Sequence, residues 1–278
     1  MDFLYHYTSL ETLALILSNK TICFNNLLYV DDIEEAETND MGKFGRFVYV
    51  SCWTDDKDES ISLWNLYTPN MHGVRIMLPK FPFAEFVYKK GELFLTEDIK
   101  TYINMQKIYD ENKVSIVSTQ PQLVKLEYTK ENDKLYPNVK SESFDGGLDI
   151  YLQANHISDL HIKNLIVNYS FKELGKCKHD NWTFQKEWRY IISTMPMGIQ
   201  DNNPPSFKSQ QEIIRRLENK SFEPSYRQIF LDIDEKALEK MEVMFGPRMS
   251  EAEKIMAKSI LHQYCPTCKY SESALRIR

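Results

Sequence analysis

The sequence predicts an α+β fold: a split, mostly antiparallel sheet with a helical insertion between its two halves. Three observations lead there. The opening reads as strand, polar turn, helix, strand. The closing third returns to short β-rich segments. Between them lies a looser stretch whose second half carries apolar residues at helical spacing. No Pro/Gly-rich linker isolates that stretch, so residues 1–278 are expected to form a single domain, with 81–170 inserted between the two halves of the sheet.

Residues 3–7 are aromatic-rich and read as a strand. Thr8 or Ser9 offers an N-cap, and Leu10, Leu13, Ala14 and Leu17 recur at helical spacing, giving a helix over 10–18 and a second strand over 21–25. The acidic run from Asp31 to Glu37 reads as a loop or short helix. Residues 47–53 form a strand, 60–67 a helix through Ile61, Trp64 and Tyr67, and 73–78 a strand after the turn at Pro69-Asn70. Strand and helix pieces follow over 93–127, and 148–170 reads as mostly helical. Strands are expected at 188–193, 226–233 and 241–245. Ser250 caps a helix running to about 263, and a last strand covers 268–278.

Composition narrows the function classes. At 42% hydrophobic and 27% charged the chain is globular. Its 16 tyrosines and 15 phenylalanines more often fill a core than build a binding platform. A net charge of −6, with no block of basic residues, argues against nonspecific duplex binding. The N-terminus lacks a basic start and long apolar run, no segment is long enough to span a bilayer, and five cysteines make no disulfide framework. A cytoplasmic protein with no membrane association is expected.

Two remote polar segments carry the candidate chemistry. His6-Tyr7-Thr8 sits where a strand meets a helix. There an imidazole can bond a ribose hydroxyl, or the same residues can merely end a strand and cap a helix. In Glu187-Trp188-Arg189, an extended backbone puts Glu187 and Arg189 on one face and Trp188 on the other. The carboxylate can stabilise an oxocarbenium-like centre, and the arginine can neutralise a pyrophosphate or orient that carboxylate; alternatively the two form a cross-strand ion pair. Tyr67 can stack on a flat ring, and Ser51 can support the glutamate from an adjacent strand. Trp64 reads as core.

Together these pieces resemble a bacterial family designated domain of unknown function 2971. The resemblance rests on His6-Tyr7-Thr8, Ile16-Leu17, the acidic turn Val30-Asp31-Asp32-Ile33-Glu34-Glu35, Ser51-Cys52, Trp64 to Tyr67, His72-Gly73, Glu187 to Arg189 and Phe245-Gly246-Pro247. It runs over nearly the whole chain. Asp31 departs from the Asn-Asp pair usual in that turn.

The order His, then Ser and Tyr, then Glu is in turn similar to ADP-ribosyltransferases. That resemblance implies an ADP-ribosyltransferase-like sheet, with Glu187 and Tyr67 catalytic, His6, Thr8, Ser51 and Arg189 binding NAD, and no metal. It further implies transfer of ADP-ribose to RNA, DNA or protein by a toxin or phage-defence effector, with an antitoxin as a possible partner. The alternative is a non-enzymatic module that binds a nucleotide or a partner.

Other motifs point nowhere stronger. Cys265-Pro266-Thr267-Cys268, with His262, Cys177 and His179, supplies zinc-type ligands but lacks a second Cys-x-x-Cys, so a plain turn is expected. No Gly-rich phosphate loop, His-Glu-x-x-His or nucleophile elbow appears, and the acidic run Asp55, Asp56, Asp58, Glu59 reads as a solvated loop.

Overall fold

The computed structural model describes residues 2–144, 165–203 and 205–277. It is a mixed α+β fold around a large, mostly antiparallel sheet of ten strands among the described residues. Sixteen strands occur there in chain order: β1 (Phe3–Ser9), β2 (Thr21–Asn26), β3 (Val48–Thr54), β4 (Gly73–Pro79), β5 (Phe86–Tyr88), β6 (Ile99–Thr101), β7 (Ser115–Ile116), β8 (Gln122–Lys125), β9 (Glu127–Thr129), β10 (Lys140–Phe144), β11 (Leu165–Tyr169), β12 (Cys177–His179), β13 (Glu187–Met195), β14 (Gln228–Asp232), β15 (Glu242–Phe245) and β16 (Lys269–Glu272). The main path runs β14-β2-β3-β1-β4-β15-β16, and β13 adds itself to β3 while carrying β7 and β8.

Serine caps set the helix starts, at Ser9 and Ser250 as expected and at Ser60 where the helix was expected to begin one residue earlier. Ser9 accepts from the Thr12 amide at the head of α1 (Leu10–Asn19). Ser60 does the same for Leu63 in α2 (Ile61–Tyr67). Ser250 and Glu253 close a reciprocal capping box on the long C-terminal helix (Glu251–Tyr264). Leu13, Ile16 and Leu17 of α1 enter the main core, as their spacing requires.

Period-two alternation explains how the sheet feeds two cores. Tyr49 and Trp53 of β3, with Tyr190 and Ile192 of β13, join the large cluster built with α1, β4 and β15. Val48 and Val50, with Ile191, join a second cluster with Leu27, Phe44, Phe47, Leu174 and Leu217. Trp188 packs against the first cluster. Glu187 and Arg189 therefore face the other way.

The sheet parts beside β3. β13 takes one edge of β3 in continuous register from Glu187↔Thr54 to Ser193↔Val48. The opposite edge is shared: β1 meets it at Tyr5↔Thr54, and β2 at Asn25↔Val50 and Asn26↔Tyr49. Residues 51–53 thus face a gap, and β1 leans away to pair along its whole length with β4.

Glycine makes the close approach beyond β1 possible. A Cβ on Gly73 would sit 2.5 Å from the Thr8 carbonyl oxygen, and one on Gly246 2.5 Å from that of Met71. The His72-Gly73 and Phe245-Gly246-Pro247 motifs are packing devices here. His72 pairs with Glu253 of the capping box at 2.9 Å.

The middle of the chain carries the strand and helix pieces expected over 93–127, with no mainly helical character in its described part. Its described parts hold mostly short strands, with two short helices at Met105–Glu111 and Asn132–Leu135. Three two-stranded sheets form, β5-β6, β9-β12 and β10-β11. The helix expected over 148–170 lies outside the described residues up to 164. Beyond that, Leu165–Tyr169 is a strand antiparallel to β10, since Ile166, Val167 and Tyr169 suit a strand once a partner is present. The last strand is also shorter than expected, ending at Glu272. No helix among the described residues is long and apolar enough to cross a membrane.

Candidate functional site

The gap beside β3 is the mouth of a cleft. In it the His6 Nδ1–H donates to the Cys52 carbonyl at 2.9 Å, in place of the strand partner that β1 does not supply there. Burial pulls the imidazole below its ordinary value of 6.5, against the opposing effect of the Cys52 carbonyl. A neutral ring donating from Nδ1 leaves Nε2 as an acceptor. His6 also lies 5.0 Å from the Trp53 ring, tilted against it.

Two adjoining cavities open on this gap. The first holds about 370 Å³ of open space and is lined by His6, Tyr7, Cys52, Tyr67, Gln185 and Glu187 among others. The second, about 1200 Å³ with its solvent mouth, shares His6, Tyr67 and Glu187. It adds Thr8, Asp31, Ser51, Lys178 and Arg189. All six residues singled out in the sequence, His6, Thr8, Ser51, Tyr67, Glu187 and Arg189, therefore line one cleft. Val30 and Asp31 carry the acidic turn to its rim.

Behind the cleft wall lies a buried quartet of charges that sequence reading caught only by half. The Arg189 Nε donates to Glu187 Oε1, and its Nη1 donates to Glu35 Oε2. Lys178 Nζ is 3.0 Å from Glu35 Oε1 and 3.7 Å from Glu187 Oε2. Arg189 is 0% exposed, Lys178 3%, Glu187 4% and Glu35 8%, so none has water to fall back on. Two acids and two bases cancel, which is the condition for burying them at all. Burial pushes the Glu35 carboxyl up, yet Arg189 and Lys178 together outweigh it and hold it below its ordinary value. Burial opposes the charge of Arg189, and the two carboxylates more than restore it.

Arg189 thus bonds the Glu187 carboxylate, as an ion pair within one strand and not across two. Its ion-pair partners come from the acidic turn and its own strand, and Lys178 of β12 meets the same two carboxylates.

Ser51 does not support Glu187. The register places Arg189 opposite Cys52 and Tyr190 opposite Ser51, so Cys52 shares the glutamate's face and Ser51 the other. The Ser51 hydroxyl instead accepts from the Trp53 indole at 3.0 Å. Burial, with Glu187 next, pushes the Cys52 thiol far above its ordinary value.

Tyr67 is held by a relay. Lys178 Nζ donates to Gln185 Oε1 at 3.1 Å, and Gln185 Nε2 donates to the Tyr67 hydroxyl at 2.6 Å. Burial, then the carboxylate of Asp31, pushes that hydroxyl well above the usual phenol range. Tyr128 fixes the start of β13 by accepting from the Glu187 amide at 2.8 Å.

Glu35, Lys178, Gln185 and Asp31 were not singled out by sequence reasoning. One signal existed for Glu35: a strand that buries a Glu and an Arg together must find further counter-charges, and the acidic turn was a named motif.

No curated protein and no solved structure matches this chain. Residues 63–190 do match the model of a protein family, a narrower span than the whole-chain resemblance expected. That span includes Tyr67, His72-Gly73, Lys178, Gln185 and the Glu187-Trp188-Arg189 strand, and it omits His6, Glu35 and Cys52. The family that this segment is similar to is described as protein of unknown function, DUF2971.

Proposed function

We propose that the cleft beside β3 holds the nicotinamide riboside end of NAD and that the protein acts as an ADP-ribosyltransferase-like enzyme. One observation carries the reading: His6, Tyr67 and Glu187, from three remote segments, line the same cleft where the sheet parts. A neutral His6 accepts from a ribose hydroxyl through Nε2, Tyr67 offers a ring for the nicotinamide, and the Glu187 carboxylate faces the sugar. The bond from C1′ to the pyridinium nitrogen breaks, its electron pair leaves with neutral nicotinamide, and Glu187 stabilises the oxocarbenium centre that remains. A nucleophile on RNA, DNA or protein then takes the ADP-ribose. An effector that toxic to its host would travel with an antitoxin.

Purified protein mixed with NAD labelled in the nicotinamide ring tests this. Release of label is expected, reduced by at least a hundredfold in Glu187→Gln and by at least tenfold in Tyr67→Ala, both with wild-type circular dichroism. Release that survives both substitutions, or no release and no binding, overturns the proposal.

A second reading is favoured by the ion quartet. Both Glu187 oxygens already face cations, as in a carboxylate whose task is to hold a wall together. On that reading the cleft belongs to a non-enzymatic nucleotide- or partner-binding module. NAD binding without any nicotinamide release, unchanged in kind by Glu187→Gln, would support it.

A further inference from the structure

The charge inventory of the cleft says what part of a ligand it recognises. Lys178 and Arg189 are matched by Glu35 and Glu187 at the distances given above, so the quartet has no net charge. Neither cation is free to meet a phosphate. Asp31 is the remaining charged side chain lining the cavity, and it makes no ion pair among the described residues. It is exposed, on the turn that forms the rim, while Tyr67 stands half-buried in the same lining. The Tyr67 hydroxyl is tied back by Gln185 at 2.6 Å and also meets the Asp31 carboxylate, so the ring is the part of this residue left to a ligand. The other aromatic at the rim is Tyr29, on which Arg227 stacks at 4.7 Å from outside the lining.

A carboxylate beside an aromatic ring, with no spare cation in the wall, suits a cation with a flat face. We propose that Asp31 and the Tyr67 ring select a ligand by the positive charge of an N-glycosylated heteroaromatic ring, and that phosphate adds little to recognition. This rests on the NAD reading and narrows it. Nicotinamide in oxidised NAD carries that charge on the ring, whereas reduced NAD does not. Nicotinamide riboside carries it without any phosphate, and ADP-ribose carries phosphate without the ring.

Calorimetric titration of the full chain with four probes separates these elements: an uncleavable carbocyclic NAD analogue, nicotinamide riboside, NADH and ADP-ribose. The riboside is expected to bind within about threefold of the NAD analogue, and NADH and ADP-ribose at least tenfold more weakly, about 1.4 kcal/mol. Asp31→Asn, an isosteric change at an exposed position, is expected to weaken the NAD analogue about tenfold and leave NADH unchanged, with the melting temperature as a check on folding. If NADH binds as tightly as the analogue, selection by ring charge is overturned and the NAD reading stands. If ADP-ribose binds as tightly, recognition runs through phosphate, with Arg227 the group to test next, and the inference is again overturned. If none of the four binds, the NAD reading itself falls and takes this inference with it.

Discussion

Glu187 and Arg189 stand two residues apart on one strand and bond to each other on one face of the sheet. A strand places i and i+2 side by side, so the pair is local. What makes it consequential is that neither residue is solvated, and each needs a second partner from elsewhere in the chain.

Removing Arg189 would leave two buried carboxylates with one lysine between them. Arg189→Met is expected to cost about 3–5 kcal/mol in unfolding free energy, measured by urea denaturation. Arg189→Lys would recover little, because an ammonium cannot reach both carboxylates with the fork of a guanidinium. A loss under 1 kcal/mol for Arg189→Met would show that the quartet contributes no net stability.

Acid should release the same quartet. The Glu35 carboxyl is depressed below its ordinary value of 4.5 when folded, so the unfolded chain binds that proton first. Its stabilising contribution is therefore full above pH 4.5 and lost as pH falls through the folded value. Thermal unfolding of wild type and Glu35→Gln should show a smaller acid-dependent fall in the variant, starting from a lower stability at neutral pH. Parallel curves for the two proteins would contradict the assignment.

His6 titrates with the same sign and a different window. Burial depresses the folded imidazole below 6.5, so the unfolded chain takes up the proton first and stability falls as pH drops below 6.5. Nuclear magnetic resonance of the imidazole should give a midpoint below 6.5 in the folded protein. His6→Gln should flatten the stability profile just below that pH. A midpoint at or above 6.5 would mean that the ring is solvated and does not wall the cleft.

Tyr67 separates ring from hydroxyl. Tyr67→Phe keeps the ring and leaves the Gln185 amide without its acceptor, so it should cost about 1–3 kcal/mol of stability while ligand affinity changes by less than about threefold. Tyr67→Ala should weaken ligand binding by at least about tenfold. If Phe impairs binding as much as Ala, the hydroxyl is the recognition element.

The C-terminal tail should tighten α2, which carries Tyr67. Glu59, just before this helix, accepts from the Trp64 indole at 3.1 Å and the Ala274 amide at 2.8 Å, while Leu275 and Ile277 pack on the cluster of Tyr7, Leu63, Trp64 and Met71, as Tyr67 does. Deleting residues 273–278 is expected to lower the melting temperature by several degrees and weaken ligand binding. Unchanged affinity would show that α2 holds its place without the tail.

Much of this was legible in the sequence because it rests on short-range rules. The serine caps at Ser9 and Ser250 follow from a hydroxyl three residues before a needy amide, and the opposed faces of Glu187 and Trp188 follow from the pleat. Glu35 was hidden because an acid inside an acidic run looks solvated, and its burial depends on partners 143 and 154 residues further on. Lys178 and Gln185 were hidden for the same reason. Residues 165–169 show another limit: Leu, Ile and Val in sequence suit a buried helix or a strand equally until a partner strand is found. The gap beside β3 could not be read at all, since it arises from how three strands divide one edge.

The quartet also constrains the order in which the molecule comes to exist. Glu35 leaves the ribosome early, and its guanidinium partner is not made until 154 residues later. During synthesis the acidic turn must stay open to solvent, and the β3 wall stays unfinished until β13 has emerged. Premature release of the chain anywhere before Arg189 would leave a fragment with the histidine side of the cleft but not the carboxylate side, and so without the activity proposed for the whole.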